Sequence, residues 1–214
     1  KTMNAGTNGV SGMLSFTSGT TSSGASGSIS LFTGQAVNGK GGDIMISVGS
    51  GDSVSGGDVS VSTGLSTDKS GGSLSLFTRR GTTSSSGSIV FNTANAGTSG
   101  VSGSLSFTTG TTSSGTSGIV SLSTGSATNG KGGSTILTVG AGNTGNGGDI
   151  NFSAGETTAA NSNGGEITFL GGHGSSATNG QGGIMSLTGG AGATGTGGSI
   201  SLTTGEGTKS SSGS

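Results

Sequence analysis

Proline, cysteine, tryptophan and tyrosine are all missing from this 214-residue chain, and each absence closes off a class of protein. Without cysteine, neither a disulfide framework nor a thiolate metal site can be built, and the redox compartment is left open. Charge is scarce as well: 7% of the residues are charged, and seven basic against eight acidic side chains give a net charge of −1 with no basic run. That balance lacks the electrostatic footprint for nucleic acid or anionic lipid. Apolar runs stop after a few residues, as in Ile44-Met45-Ile46, so no membrane span and no signal peptide is visible.

Hydrophobic residues make up 26% of the chain and aromatics 3%, too little to fill an ordinary globular core. What is abundant is glycine, at 52 residues, with serine and threonine. Such a composition usually marks a flexible linker, which buries too little apolar surface to offset chain entropy. The lack of proline and charge, and the regular spacing of the few large apolar residues, point instead to order.

The spacing is a repeat. An alternating apolar pair returns at Leu14/Phe16, Ile29/Leu31, Ile44/Ile46, Val59/Val61, Leu74/Leu76, Ile89/Phe91, Leu105/Phe107, Val120/Leu122, Thr135/Leu137, Ile150/Phe152, Ile167/Phe169, Met185/Leu187 and Ile200/Leu202. Most steps are 15 residues; those from Ile89, Ile150 and Ile167 are 16, 17 and 18. The extra residues fall in stretches such as 157–163 and 172–182 and read as loop insertions. In Ser199-Ile200-Ser201-Leu202-Thr203 the apolar and hydroxyl residues alternate strictly, which is strand periodicity, and no 3.6-residue stripe accompanies it.

A longer period lies on top. The position between the paired apolar residues becomes apolar itself at Met45, Val90 and Ile136, and a second outward position carries Phe32, Phe77 and Leu170. Asn4-Ala5-Gly6-Thr7 returns as Asn95-Ala96-Gly97-Thr98, and Asn38-Gly39-Lys40-Gly41-Gly42 as Asn129-Gly130-Lys131-Gly132-Gly133, both 91 residues on. Duplication of a multi-unit block explains both.

These features predict an all-β fold: one continuous single-domain β-solenoid over residues 1–214, with about 13 coils of about 15 residues and a thin, flattened cross-section. One coil cannot repay its own ordering entropy, so stability would have to come from stacking that turns the apolar pairs into an inner ladder. The chain starts at Lys1 and ends within a repeat at Ser210-Ser211-Ser212-Gly213-Ser214, with no distinct cap, which suggests a piece of a longer repeat protein.

No catalytic, cofactor-binding or metal site is expected. Asp43, Asp58, Asp149 and Glu166 follow Gly-Gly at one place in their units, and stacking would bring Asp43 near Asp58 and Asp149 near Glu166, but the calcium-binding β-roll signature is not met. His173, the only histidine, sits in a Gly/Ser loop without an acidic or nucleophilic partner. The Gly-x-Gly stretches lead into no helix and so make no phosphate loop. The residues that stand out are the outward Met45, Val90, Ile136, Phe32, Phe77 and Leu170, candidates for lateral association.

The repeated Gly-Gly-x-Ile-x-Leu-x-Thr-Gly unit resembles the Gly/Ser/Thr-rich tandem-repeat solenoids of surface adhesins and extracellular fibres. That resemblance implies a secreted or surface location, filamentous assembly with copies of the chain or neighbouring surface proteins, and no catalysis. Units such as Ser104-Leu105-Ser106-Phe107-Thr108 also resemble, in period and alternation, insect antifreeze β-solenoids. That second resemblance implies an outward hydroxyl face for ice, or for another ordered surface such as a polysaccharide. The expectation is an extracellular structural protein of a filament, sheath or adhesin stalk, with ice binding as the alternative.

Overall fold

The computed structural model describes residues 1–7, 9–52 and 55–206. Neither helix nor strand is found among them. The expected all-β solenoid is therefore corrected: among the described residues the alternating segments form no strand, and no hydrogen-bonded ladder joins one to the next. Ile29, Ile44 and Val59, which a solenoid would stack inside its winding, keep 63%, 50% and 60% of their surface in contact with water. No hydrophobic residue is buried among the described residues. The terminal stretch Ser210–Ser214, with its bearing on capping, lies outside them.

The chain divides into two units, Lys1–Leu105 and Ser106–Ser214. Both are built from the same alternation of an extended arm and a closed loop. In the first, Gly57 N–H donates to Gly49 O (3.4 Å), Gly72 N–H to Gly64 O (2.9 Å) and Gly87 N–H to Arg79 O (3.4 Å). In the second, Gly165 N–H donates to Gly155 O (2.9 Å), Gly183 N–H to Gly172 O (2.8 Å) and Gly198 N–H to Gly190 O (2.8 Å). The insertions foreseen at 157–163 and 172–182 fall in the loops closed at Gly155/Gly165 and Gly172/Gly183, so the extra residues enlarge a loop and leave its closure intact.

A second contact explains why the closing residue is glycine. At Gly72, and at the equivalent Gly42, Gly133 and Gly148, the side chain nine residues earlier crowds the place where a Cβ would stand. Such an atom would meet Thr33 Cβ at 3.2 Å from Gly42, Thr63 Cβ at 3.2 Å from Gly72, Thr124 Cβ at 3.3 Å from Gly133 and Val139 Cγ1 at 2.8 Å from Gly148. Thr33 adds a hydrogen bond from Oγ1 to Gly42 O, at 2.9 Å. Within the loops, asparagine supplies left-handed turns that other side chains resist, at Asn38 (φ 59°) and Asn161 (φ 57°).

Local closure also accounts for the missing sheet. A ladder needs each arm's N–H and C=O groups to face a neighbour about 4.8 Å away. Here the loop ends bond within their own repeat, and hydroxyls satisfy nearby backbone: Thr21 Oγ1 donates to Ser23 O (2.9 Å), and Lys69 N–H donates to Ser66 Oγ (3.0 Å). Short-range bonds of this kind compete with sheet formation, and the density of glycine raises the entropy lost on ordering. The accessible surface of 20893 Å² compares with about 8,600 Å² expected of a folded monomer of 19.7 kDa.

The 91-residue duplication is visible in the backbone. The turn in which Thr21 Oγ1 bonds Ser23 O returns with Thr112 Oγ1 and Ser114 O at the same 2.9 Å, followed by positive φ at Gly24 (103°) and Gly115 (106°). No helix among the described residues is long and apolar enough to cross a membrane.

Two outcomes test this architecture. Far-ultraviolet circular dichroism of the dilute chain should show neither the helical nor the sheet minimum; a clear sheet signal in dispersed monomer would contradict it. Gly72→Val should open its loop, seen as faster amide exchange at position 72, whereas Gly34→Ala, where a Cβ meets nothing within 4 Å, should leave exchange unchanged.

Candidate association surface

Strand-like alternation puts every second side chain of an arm on one face. Neither set of side chains is buried among the described residues. The first members of the apolar pairs run from 45% exposed at Ile150 to 65% at Leu14, whereas the six outward residues run from 66% at Phe77 to 88% at Leu170. The outward set, Phe32, Met45, Phe77 and Val90 in the first unit and Ile136 and Leu170 in the second, is more open than the first pair members, while the second pair members, from 57% at Phe91 to 86% at Leu202, overlap it.

Phe77 is the least open of the six because Arg79 covers it. The guanidinium carbon stands 5.1 Å from the ring centroid, a cation–π distance that follows from the i, i+2 spacing on one face of an extended arm. Phe32 has no such cover from a cation among the described residues.

One apolar grouping is formed by residues that the sequence assigned to an interior. In the second unit, Phe169, Met185, Leu187 and Leu202, with Ser186, line an open groove of about 560 Å³. Phe169, Leu187 and Leu202 are the second pair members of three successive repeats. A fourth, Phe152, meets Phe169 edge to face, with ring centroids 6.1 Å apart and planes at 76°. A signal for this series was present: five of the seven phenylalanines, Phe16, Phe91, Phe107, Phe152 and Phe169, occupy the second pair position. Reading that position as core hid its availability to a partner.

Two of the acidic side chains are engaged by residues close in sequence. Asp43 accepts from Lys40 Nζ at 2.8 Å in an exposed ion pair, and Glu166 Oε1 accepts from Thr168 Oγ1 at 2.7 Å. Among the described residues no group of three or more acidic or histidine side chains could hold a metal ion. His173 lies exposed in the loop closed by Gly172 and Gly183. The chemistry on offer is apolar contact flanked by hydroxyls.

Compared with known proteins, the chain matches no family model, no curated protein and no solved structure.

An apolar fluorescent dye that brightens on exposed hydrophobic surface should bind the chain. Phe169→Ser combined with Leu187→Ser should remove a large part of that signal, while Val10→Ser, remote in sequence and already solvated, should remove almost none. Equal losses from the two variants would count against a discrete groove.

Proposed function

We propose that the chain is an extracellular structural protein, part of a filament, sheath or adhesin stalk, that works by axial and lateral association and not by catalysis. One observation carries this reading: the large apolar side chains return at near-fifteen-residue intervals, and among the described residues all of them remain exposed to water. An isolated exposed hydrophobe needs no explanation, but a periodic array of them over the length of a chain is a surface for partners. Other copies of the chain, or neighbouring surface proteins with a similar repeat, provide the matching period.

The association contacts in this proposal are Met45, Val90 and Ile136, with Phe32, Phe77 and Leu170 as a second set. A net charge of −1 spread over 214 residues gives copies little electrostatic reason to stay apart. The extended arms add backbone N–H and C=O groups that lack a ladder of their own, and such groups pair readily with another chain. Assembly of this kind needs no cofactor.

Ice binding is the less favoured reading. It requires hydroxyls held in a flat, regular array, and among the described residues there is no sheet to hold Ser104, Ser106 and Thr108 in register with their counterparts.

Sedimentation and electron microscopy over a range of concentrations test the proposal. The chain should assemble as concentration rises, and Met45→Asp combined with Ile136→Asp should raise the concentration for half-assembly at least several-fold. Monodisperse monomer throughout the range, with thermal hysteresis in freezing assays, would replace this reading by the ice-binding one.

A further inference from the structure

One repeated motif has no part in the association surface. Asn38-Gly39-Lys40-Gly41-Gly42 and Asn129-Gly130-Lys131-Gly132-Gly133 each place a glycine directly after an asparagine. At such a step the main chain can attack its own side chain, because the glycine nitrogen reaches the preceding Cγ without a Cβ in the way. The loop around it decides whether the chain is free to adopt that geometry.

Both motifs are open. A Cβ on Gly39 would meet only Ala36 Cβ, at 3.9 Å, and one on Gly130 only Ala127 Cβ, at 4.0 Å. Asn38 and Asn129 are exposed, and neither Gly39 nor Gly130 donates its N–H to a backbone carbonyl. Of the other Asn-Gly steps, Asn146-Gly147 is open in the same way, with nothing within 4 Å of a Cβ on Gly147, whereas Asn179-Gly180 is held differently. Gly180 N–H donates to Ser176 O at 3.3 Å, and a Cβ there would stand 2.6 Å from Ser176 N and 2.8 Å from Gly174 O. Its nitrogen is engaged, and backbone crowds it inside the enlarged loop between Gly172 and Gly183.

We propose that Asn38 and Asn129 are self-modification sites, converting spontaneously to aspartate and isoaspartate through a cyclic imide, while its loop shields Asn179. The lone pair of Gly39 N attacks Asn38 Cγ and forms the ring C–N bond. The bond from Cγ to the side-chain nitrogen breaks, and that nitrogen takes up the proton lost from Gly39 and leaves as ammonia. Water then opens the imide. Attack at the side-chain carbonyl gives aspartate; attack at the main-chain carbonyl gives isoaspartate, which carries one more methylene in the backbone. One water is consumed and one ammonia released, with no change of oxidation state.

Each conversion adds one negative charge, so modification at both sites takes the formal net charge from −1 to −3. At position 38 the new carboxylate appears two residues from Lys40, which already pairs with Asp43 at 2.8 Å. An isoaspartate there also lengthens the loop that Thr33 Oγ1 closes on Gly42 O. Modification therefore reports the age of a molecule in its charge and in one loop.

The test follows the intact chain held at neutral pH and body temperature, sampled over weeks, cleaved after lysine and mapped by fragmentation mass spectrometry. Asn38 and Asn129 should convert several-fold faster than Asn179, and denaturant should bring Asn179 up to their rate. Gly130→Ala, which the open space accommodates, should slow conversion strongly at Asn129 and leave Asn38 unaffected. Conversion of Asn179 in step with the other two in the native chain, or no acceleration of Asn179 in denaturant, would overturn the proposal.

Discussion

The contact on which this structure depends is the closure of a repeat upon itself by a glycine, seen at Gly57, Gly72, Gly87, Gly165, Gly183 and Gly198. A hydrogen bond such as Gly72 N–H to Gly64 O brings the two ends of a loop together, and the preceding threonine fills the space a side chain would need. The interaction is short in sequence and can form as soon as one repeat exists. It costs little loop entropy and asks nothing of the next repeat. That economy also limits it. Amides spent on closing a repeat are unavailable for joining repeats, and the arms between loops are left extended and solvated.

Exposure of the apolar pairs follows directly. With two large side chains per repeat and no ladder between arms, a single chain has no geometry that takes these groups out of water. The nearest approach is the run from Phe152 through Phe169 to Leu187 and Leu202, where consecutive repeats put their second pair members side by side and leave a groove. In the proposed role, association with other copies would supply from outside the burial that is missing within the chain.

Periodicity was fully legible in the sequence, and so were the loops. The positions of the insertions near 157–163 and 172–182 and the 91-residue duplication reappear in the backbone, because each depends on residues close together along the chain. What failed was the step from local pattern to global packing. Alternation at Ile29, Ile44 and Val59 specifies an extended arm with two faces, but it does not say whether those faces meet each other, a partner or water. The competition that decided the matter, between bonds within a repeat and bonds across repeats, is set by hydroxyls and glycine amides that look alike in a sequence. The same ambiguity disguised Phe169 and Leu187 as core.

The paired turns at Thr21 and Thr112, alike in bond length and in the glycine that follows, carry an implication for how such a chain changes over generations. Since each cassette settles its own geometry, unequal recombination can insert or delete whole cassettes without spoiling the ones on either side. Selection is then free to tune reach by copy number, and substitutions on the exposed arms can drift or specialise one cassette at a time.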